Sequence, residues 1–393
     1  MESLMRFIST RRVASCAAFL GLMAAPLAAS LAAPPGGGST PPSVDIAYMS
    51  ITSSAWGEPN SATVRGLGVS EAGASIGDTS LWKSAKVYYN SMTWDPDGTW
   101  LAWAQYIDTK GTRALVVGKP GGTLQTLLRF PSGAITRRNG LDNIAWGRGC
   151  QGRSFIVFNG DEGWGLLDNL YVIDPFVAFP NPVRLYTRIQ SPDPDSDGHG
   201  HGLAVSPSGH HLAFVEYTPF GIESVVALPL TCIGNDPLPV AAGGAQALFP
   251  VEYDGGNATT QSLDWSPDGS RLAVSIAAKY KIPGGWQWGF SRLAVGELSY
   301  HYDPASGTEQ VAAAAAGLRR ITTGPTDGSP DYMDQYPSWG PSEALAVCDR
   351  LAFNRDGAIL LLDVPRDAFP TEACTIPAPK LIGGKTVTGM DWK

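Results

Sequence analysis

The densest run of metal-ligating side chains in this 393-residue chain is Asp193-Pro194-Asp195-Ser196-Asp197-Gly198-His199-Gly200-His201-Gly202. Three carboxylates at alternate positions, followed by a glycine that allows a sharp turn, can wrap a hard divalent cation such as calcium. The bidentate glutamate that would close such a loop is replaced by Ala204. His199 and His201 offer imidazoles to a transition metal instead. The same run is also ordinary turn chemistry, since Asp, Pro, Ser and Gly are common turn formers. Asp193, Asp195, Asp197, His199 and His201 are the candidate metal ligands, with calcium as the candidate ion. No complete catalytic set accompanies them.

The elements that position this run come from a repeat. Trp94-Asp95-Pro96-Asp97-Gly98 precedes Leu101-Ala102-Trp103, and Trp265-Ser266-Pro267-Asp268-Gly269 precedes Leu272-Ala273-Val274. A third copy is Val205-Ser206-Pro207-Ser208-Gly209 with Leu212-Ala213-Phe214. Looser copies start at Trp146 and Trp339, and Met390-Asp391-Trp392 is a strand start with nothing after it. Successive anchors are 52, 59, 60, 74 and 53 residues apart. Repetition at this period signals a propeller or a solenoid. Proline presets φ and the glycine supplies a left-handed position, so each copy is a strand, a tight turn and a second strand. A blade has two apolar faces, and stacking blades in a ring buries both. The tryptophan anchors are read as packing between blades.

The fold class is all-β, a six-bladed β-propeller closed by pairing of its N- and C-terminal strands. Residues 388–392 pair with residues 45–50 in a composite blade, and blades one to five start at Trp94, Trp146, Val205, Trp265 and Trp339. Residues 350–354, 358–363 and 380–382 are the later strands of blade five; residues 154–158, 169–173 and 183–186 are those of blade two. Residues 52–90 supply the outer strands of the composite blade or, alternatively, a degenerate seventh blade. Residues 310–317, with their alanine run, read as a short helix in a loop. The 193–201 run leads into the first strand of blade three, which faces the central channel.

Other motifs rank lower. Gly285-Trp286-Gln287-Trp288-Gly289-Phe290 and Tyr300-His301-Tyr302 lie in a long blade-four insertion, as a glycan-stacking platform or as a lid over the blade edge. Residues 331–336 could add acidic and phenolic groups to the channel. His210 and His211 fall in a hairpin turn and are expected to be solvated. Gly73-Ala74-Ser75-Ile76-Gly77 spells a nucleophile elbow, but that motif needs an α/β-hydrolase domain. Asn257-Ala258-Thr259 is a glycosylation sequon, relevant only in a eukaryotic secretory pathway.

The Trp-Ser-Pro-Asp-Gly-x-x-Leu-Ala repeat resembles that of the TolB-like propeller family. Leu318-Arg319-Arg320-Ile321-Thr322-Thr323-Gly324, ahead of Tyr336-Pro337-Ser338-Trp339, is similar to a passage between blades in that family. The likeness covers residues 45–393 and implies the propeller alone, without the α/β domain that precedes it in TolB. It also implies two uses. One is docking a protein or peptide. The alternative is a metal-dependent, oligosaccharide lyase-like enzyme, because some TolB-like propellers resemble such lyases; His199, His201 and His301 are the available funnel histidines.

Composition sets outer bounds. Hydrophobic residues are 44% and charged residues 16%, with 46 Gly and 31 Pro, which is a turn-rich globular composition. Residues 1–32 read as a secretory signal: Arg6, Arg11 and Arg12, then an apolar core broken by Pro26, then Ala29 or Ala32 at a cleavage site. A twin-arginine signal, a lipoprotein box at Val13-Ala14-Ser15-Cys16 and an uncleaved anchor are the competing readings. Residues 33–44 form a Pro/Gly linker, and residues 45–393 form the propeller. The net charge of −8, more negative still without the signal, argues against nucleic acid and anionic lipid as partners. Four cysteines remain after the signal, an even number that favours two disulfides in an exported chain. Cys348–Cys374 is the favoured pair because both flank the strands of blade five, and Cys150–Cys232 follows by elimination; four separate thiols are the alternative. The expectation is a monomeric, non-catalytic propeller in a bacterial periplasm or secreted, with no transmembrane domain after signal removal, binding an envelope protein or peptide.

Overall fold

Three turns carry the repeat into three dimensions. In each, the glycine N–H donates to the carbonyl three residues earlier at 2.8 Å: Gly98 to Asp95, Gly209 to Ser206 and Gly269 to Ser266. The glycines sit at φ of 61°, 75° and 74°, a region that an L side chain enters at a cost. The chain then reverses into the Leu-Ala strand. In the computed structural model, residues 44–51, 61–70, 74–106, 113–130, 143–160, 168–177, 180–188, 202–217, 223–253, 256–282, 285–304, 307–322, 333–341, 348–366, 380–383 and 387–393 are described.

The strands form six antiparallel blades. Blade two is Ile144–Arg148, Ser154–Gly160, Asp168–Ile173 and Val183–Arg188, and blade five is Asp334–Trp339, Cys348–Arg355, Ala358–Pro365 and Lys380–Gly383. Blade three runs through Leu203–Val205, His211–Tyr217, Glu223–Thr231 and Gln246–Pro250, and blade four through Gly256–Trp265, Arg271–Ile282, Gly285–Asp303 and Thr308–Arg320. The strand Ser75–Trp94 serves two blades. Its first part pairs with Ser61–Val69 in the composite blade, and its last part pairs with Leu101–Tyr106 in blade one. Residues 61–86 thus complete the composite blade, and among the described residues no seventh blade is formed.

Ring closure is direct. Val387–Trp392 pairs antiparallel with Ile46–Ile51, with Trp392 opposite Ile46 and Met390 opposite Tyr48. Lys393 N–H donates to the Asp45 carbonyl at 3.0 Å and extends the ladder by one bond. Alternation along each strand then feeds two interfaces. Leu101 and Trp103 face the composite blade, whereas Ala102 and Ala104 face blade two. Leu351 and Phe353 face blade four, whereas Ala352 faces the composite blade. Among the described residues, six apolar clusters arise in this way, one between each neighbouring pair of blades. Each fully buried large side chain adds about 2–3 kcal/mol. Trp94, Trp146, Trp265, Trp339 and Trp392 are all buried in these clusters.

Three expectations are corrected. Residues 310–317 are not helical: they belong to the outer strand Thr308–Arg320, where Gln310 pairs with His301 and Ala312 with Ser299. Sheet pairing overrides the helix preference of alanine there. His211 is not solvated but fully buried, because it opens the second strand of blade three instead of capping the turn. The aromatic run of blade four is not an inserted loop: residues 285–303 are one strand, paired with Arg271–Ile282 on one side and Thr308–Arg320 on the other. Among the described residues, no helix is long and apolar enough to cross a membrane.

Cys150, in the first turn of blade two, is joined to Cys232, which follows the third strand of blade three; 82 residues separate them. The bridge staples two neighbouring blades. Cys348 is also disulfide-bonded, and Cys374 lies outside the described residues.

Candidate functional site

The first strands of all six blades converge on one cavity of about 680 Å³ along the ring axis. Its walls run from Met92 to Gly98, Asn143 to Arg148, Gly202 to Pro207, Gln261 to Trp265, Tyr336 to Pro341 and Met390 to Lys393. The Pro-Gly turns mark one mouth, with Pro96, Pro207, Pro267 and Pro341 around it.

A phase rule decides which side chains reach this wall. The anchor tryptophan points back to the preceding blade: the Trp265 indole N–H donates to the Ala204 carbonyl at 3.0 Å, and the Trp339 indole N–H to the Asp264 carbonyl at 3.3 Å. The residue just before the anchor therefore points forward to the following blade. Those residues are Thr93, Ala145, Ala204, Asp264, Ser338 and Asp391. Asp264 Oδ2 accepts from Trp339 N–H of blade five at 2.9 Å. Asp391 Oδ2 accepts from Trp94 N–H of blade one at 2.7 Å, and its Oδ1 accepts from the Ser338 hydroxyl at 2.8 Å. A β-bulge between Gln335 and Ser338 shifts the register of blade five just before Ser338, and such bulges re-aim side chains. Tyr336, inside the bulge, takes φ 51° and donates its N–H to Ser262 Oγ at 2.8 Å.

Two carboxyl groups thus share one side of the channel with a serine hydroxyl between them. Both titrate upward. Burial raises Asp264 well above the ordinary 3.8, and the charge of Asp391 raises it further. Burial likewise pushes Asp391 up to about 6, against the pull of the Trp94 N–H and the Ser338 hydroxyl. A cation placed between the two would favour the ionised form of both.

At the Pro-Gly mouth the wall is aromatic and basic. Arg148 of blade two is ion-paired with Asp97 of blade one. Lys393 lies 5.5 Å from the centroid of the Trp94 ring. Asn143 holds the adjoining seam, since Oδ1 accepts from Gly202 N–H at 2.8 Å.

The candidate ligands read from the sequence fare differently. Asp193, Asp195, Asp197, His199 and His201 all lie outside the described residues, so their convergence stays a proposal. Gly202, the next residue, does line the channel. His301 is exposed on the third strand of blade four, paired with Gln310 of the outer strand, and is not on the channel wall. Asp334 does not contribute a free carboxylate, because Arg355 holds it with bonds of 2.6 and 2.7 Å. Residues 75–77 begin a strand and form no elbow. Among the described residues, no group of three or more His, Cys, Asp or Glu side chains could hold a metal ion. Sequence reasoning missed the Asp264–Asp391 pair. Its signal was present: an aspartate directly before an anchor tryptophan, twice.

The fold and channel define a six-bladed β-propeller of TolB-like architecture. TolB from Acinetobacter baumannii is similar at a TM-score of 0.51 and 14% identity, over 89% of this chain and 66% of that one. A putative TolB from Agrobacterium tumefaciens aligns over 88% of this chain and 93% of its own at 13% identity, with a TM-score of 0.41. A six-bladed propeller lectin from the fungus Aleuria aurantia aligns over 85% of this chain and 95% of its own at 11% identity, with a TM-score of 0.40. The chain thus spans just under two thirds of the Acinetobacter protein's length. No protein-family model and no curated protein matches the chain.

Proposed function

We propose that this chain is an exported, non-catalytic propeller that binds a protein or peptide partner at the mouth of its central channel. The observation that carries the reading is the channel wall, with two half-buried carboxyls, Asp264 and Asp391, facing a space of about 680 Å³. That space suits one extended side chain or a chain end, and the carboxyl pair suits a lysine, an arginine or an amino terminus. Binding needs no more groups than these. A hydrolytic or eliminative reaction would need a group placed to stabilise the developing anion in addition.

Residues 1–32 direct export in this reading, residues 33–44 form the linker, and the bacterial periplasm or the medium is the place of action. The Cys150–Cys232 bridge supports an oxidising compartment. The acidic net charge of −8 supports a partner with exposed cations over nucleic acid.

Site-specific photocrosslinking tests this. A benzoylphenylalanine at Pro207, on the mouth, is expected to capture a discrete partner in cell-envelope extract, and one at Leu381, on the outer strand of blade five, is not. Capture from the Leu381 position alone would contradict the reading.

A further inference from the structure

The exposed apolar residues of the Pro-Gly face are not scattered. Phe176 and Val177, in the turn between the third and fourth strands of blade two, are 50% and 43% exposed. Phe176 meets Trp100 of blade one edge-on at 5.4 Å between ring centroids and lies 6.1 Å from Trp146, the anchor of blade two. An aromatic ring so exposed normally costs solubility, yet this one is held in place. Phe176 N–H donates to Asp174 Oδ1 at 2.9 Å, and Arg153 pins the other oxygen of Asp174 at 2.8 Å. The Lys119 ammonium sits 5.0 Å from the centroid of Trp100. Trp146 both meets Phe176 and lines the channel, so it joins the two surfaces.

We infer that Phe176, Val177, Trp100 and Lys119 form a second, preorganised docking surface for a protein segment that carries an apolar anchor beside acidic side chains. The inference rests on the protein-binding reading and deepens it. Exposed, rigid aromatics at the centre of a patch are where interface energy concentrates. Charge picks the partner. Arg148 and Arg153 are already matched by Asp97 and Asp174. Lys119 and Lys393 stand over indole rings, on a chain whose net charge is −8. Local positive charge on an otherwise acidic molecule favours acidic segments at this face. A bound segment would lay its apolar residue on Phe176 and its carboxylate against Lys119, while the channel beyond takes a cation.

A phage-displayed random peptide library selected on the whole chain tests this, with the enriched peptides then resynthesised and titrated by fluorescence anisotropy. The expected winners pair Leu, Phe or Trp with Asp or Glu. Their affinity is expected to fall at least tenfold against Phe176→Ser and against Lys119→Glu. Both side chains are exposed enough for the variants to fold, which an unchanged melting temperature checks. Acidic winners that ignore both variants would overturn the patch and leave protein binding intact. Lysine-rich winners alone would also overturn it, while supporting the channel reading. If no peptide is enriched and neutral oligosaccharides bind in a Phe176-dependent way, both the patch as a protein surface and the protein-binding reading fail.

Discussion

The ring is held together by two different chemistries on its two sides. From blade four through blade five to the composite blade, side chains of the first strands reach across each seam. Asp264 takes the Trp339 N–H, Ser338 donates to Asp391, and Asp391 takes the Trp94 N–H. Around blades one to three the equivalent positions are Thr93, Ala145 and Ala204. There the indole N–H groups of Trp94 and Trp146 have no acceptor among the described residues. That side leans on apolar packing, on Asn143, and on the Cys150–Cys232 bridge. The polar half gains a charged channel wall from its seams. The covalent half leaves its wall free to carry aromatics to the outer face.

Opening the covalent half should have the largest effect. Replacing Cys150 and Cys232 by serine frees a loop of 82 residues and should cost about 3–4 kcal/mol, read as a lowered urea midpoint. A loss of the same size from severing the polar half would erase the distinction. Asp391→Ala removes the acceptor of the Trp94 N–H and the Ser338 hydroxyl. It should cost about 1–3 kcal/mol, reduced by the relief it gives Asp264.

Acid–base behaviour separates the halves further. Asp391 titrates at about 6 in the fold against an ordinary 3.8. A raised carboxyl stabilises the fold below its unfolded value and loses that contribution as pH rises through the folded value. Melting temperature should therefore fall between about pH 4 and pH 6, and Asp391→Asn should flatten this slope. His211 acts in the opposite direction. Burial lowers it from 6.5, and its Nε2 lies 3.0 Å from the Glu309 carbonyl, with Tyr300 alongside. A depressed imidazole supports the fold above its unfolded value and loses that support as pH falls below about 6.5. His211→Gln should remove that smaller acid-side slope in thermal melts. A slope that survives the change would place its origin elsewhere.

Much of the fold could be read before any coordinates. The three Pro-Gly turns and the Leu-Ala strands are local signals, and their phase alone implied a ring and its tail-to-head seam. The strands of blades two and five fell where apolar alternation placed them. Residues 310–317 misled because alanine's helix preference is intrinsic, whereas the strand is set by pairing across a hairpin with residues 298–303. His211 misled because a residue one step past a turn can be the first buried strand position. The channel carboxyls, unlike the 193–201 run, form no dense local cluster in the sequence. Asp264 and Asp391 are 127 residues apart in sequence and meet only when the ring closes.

The channel's preference for a cation is the claim on which the functional account turns. Isothermal titration of acetyl-Lys-Lys-Lys-amide into the whole chain at pH 5 and pH 8 tests it directly. Affinity should rise about tenfold or more at pH 8, as Asp391 sheds its proton, and should vanish in the Asp264→Asn, Asp391→Asn double variant. Equal affinity at both pH values, or binding that persists in the double variant, would contradict it.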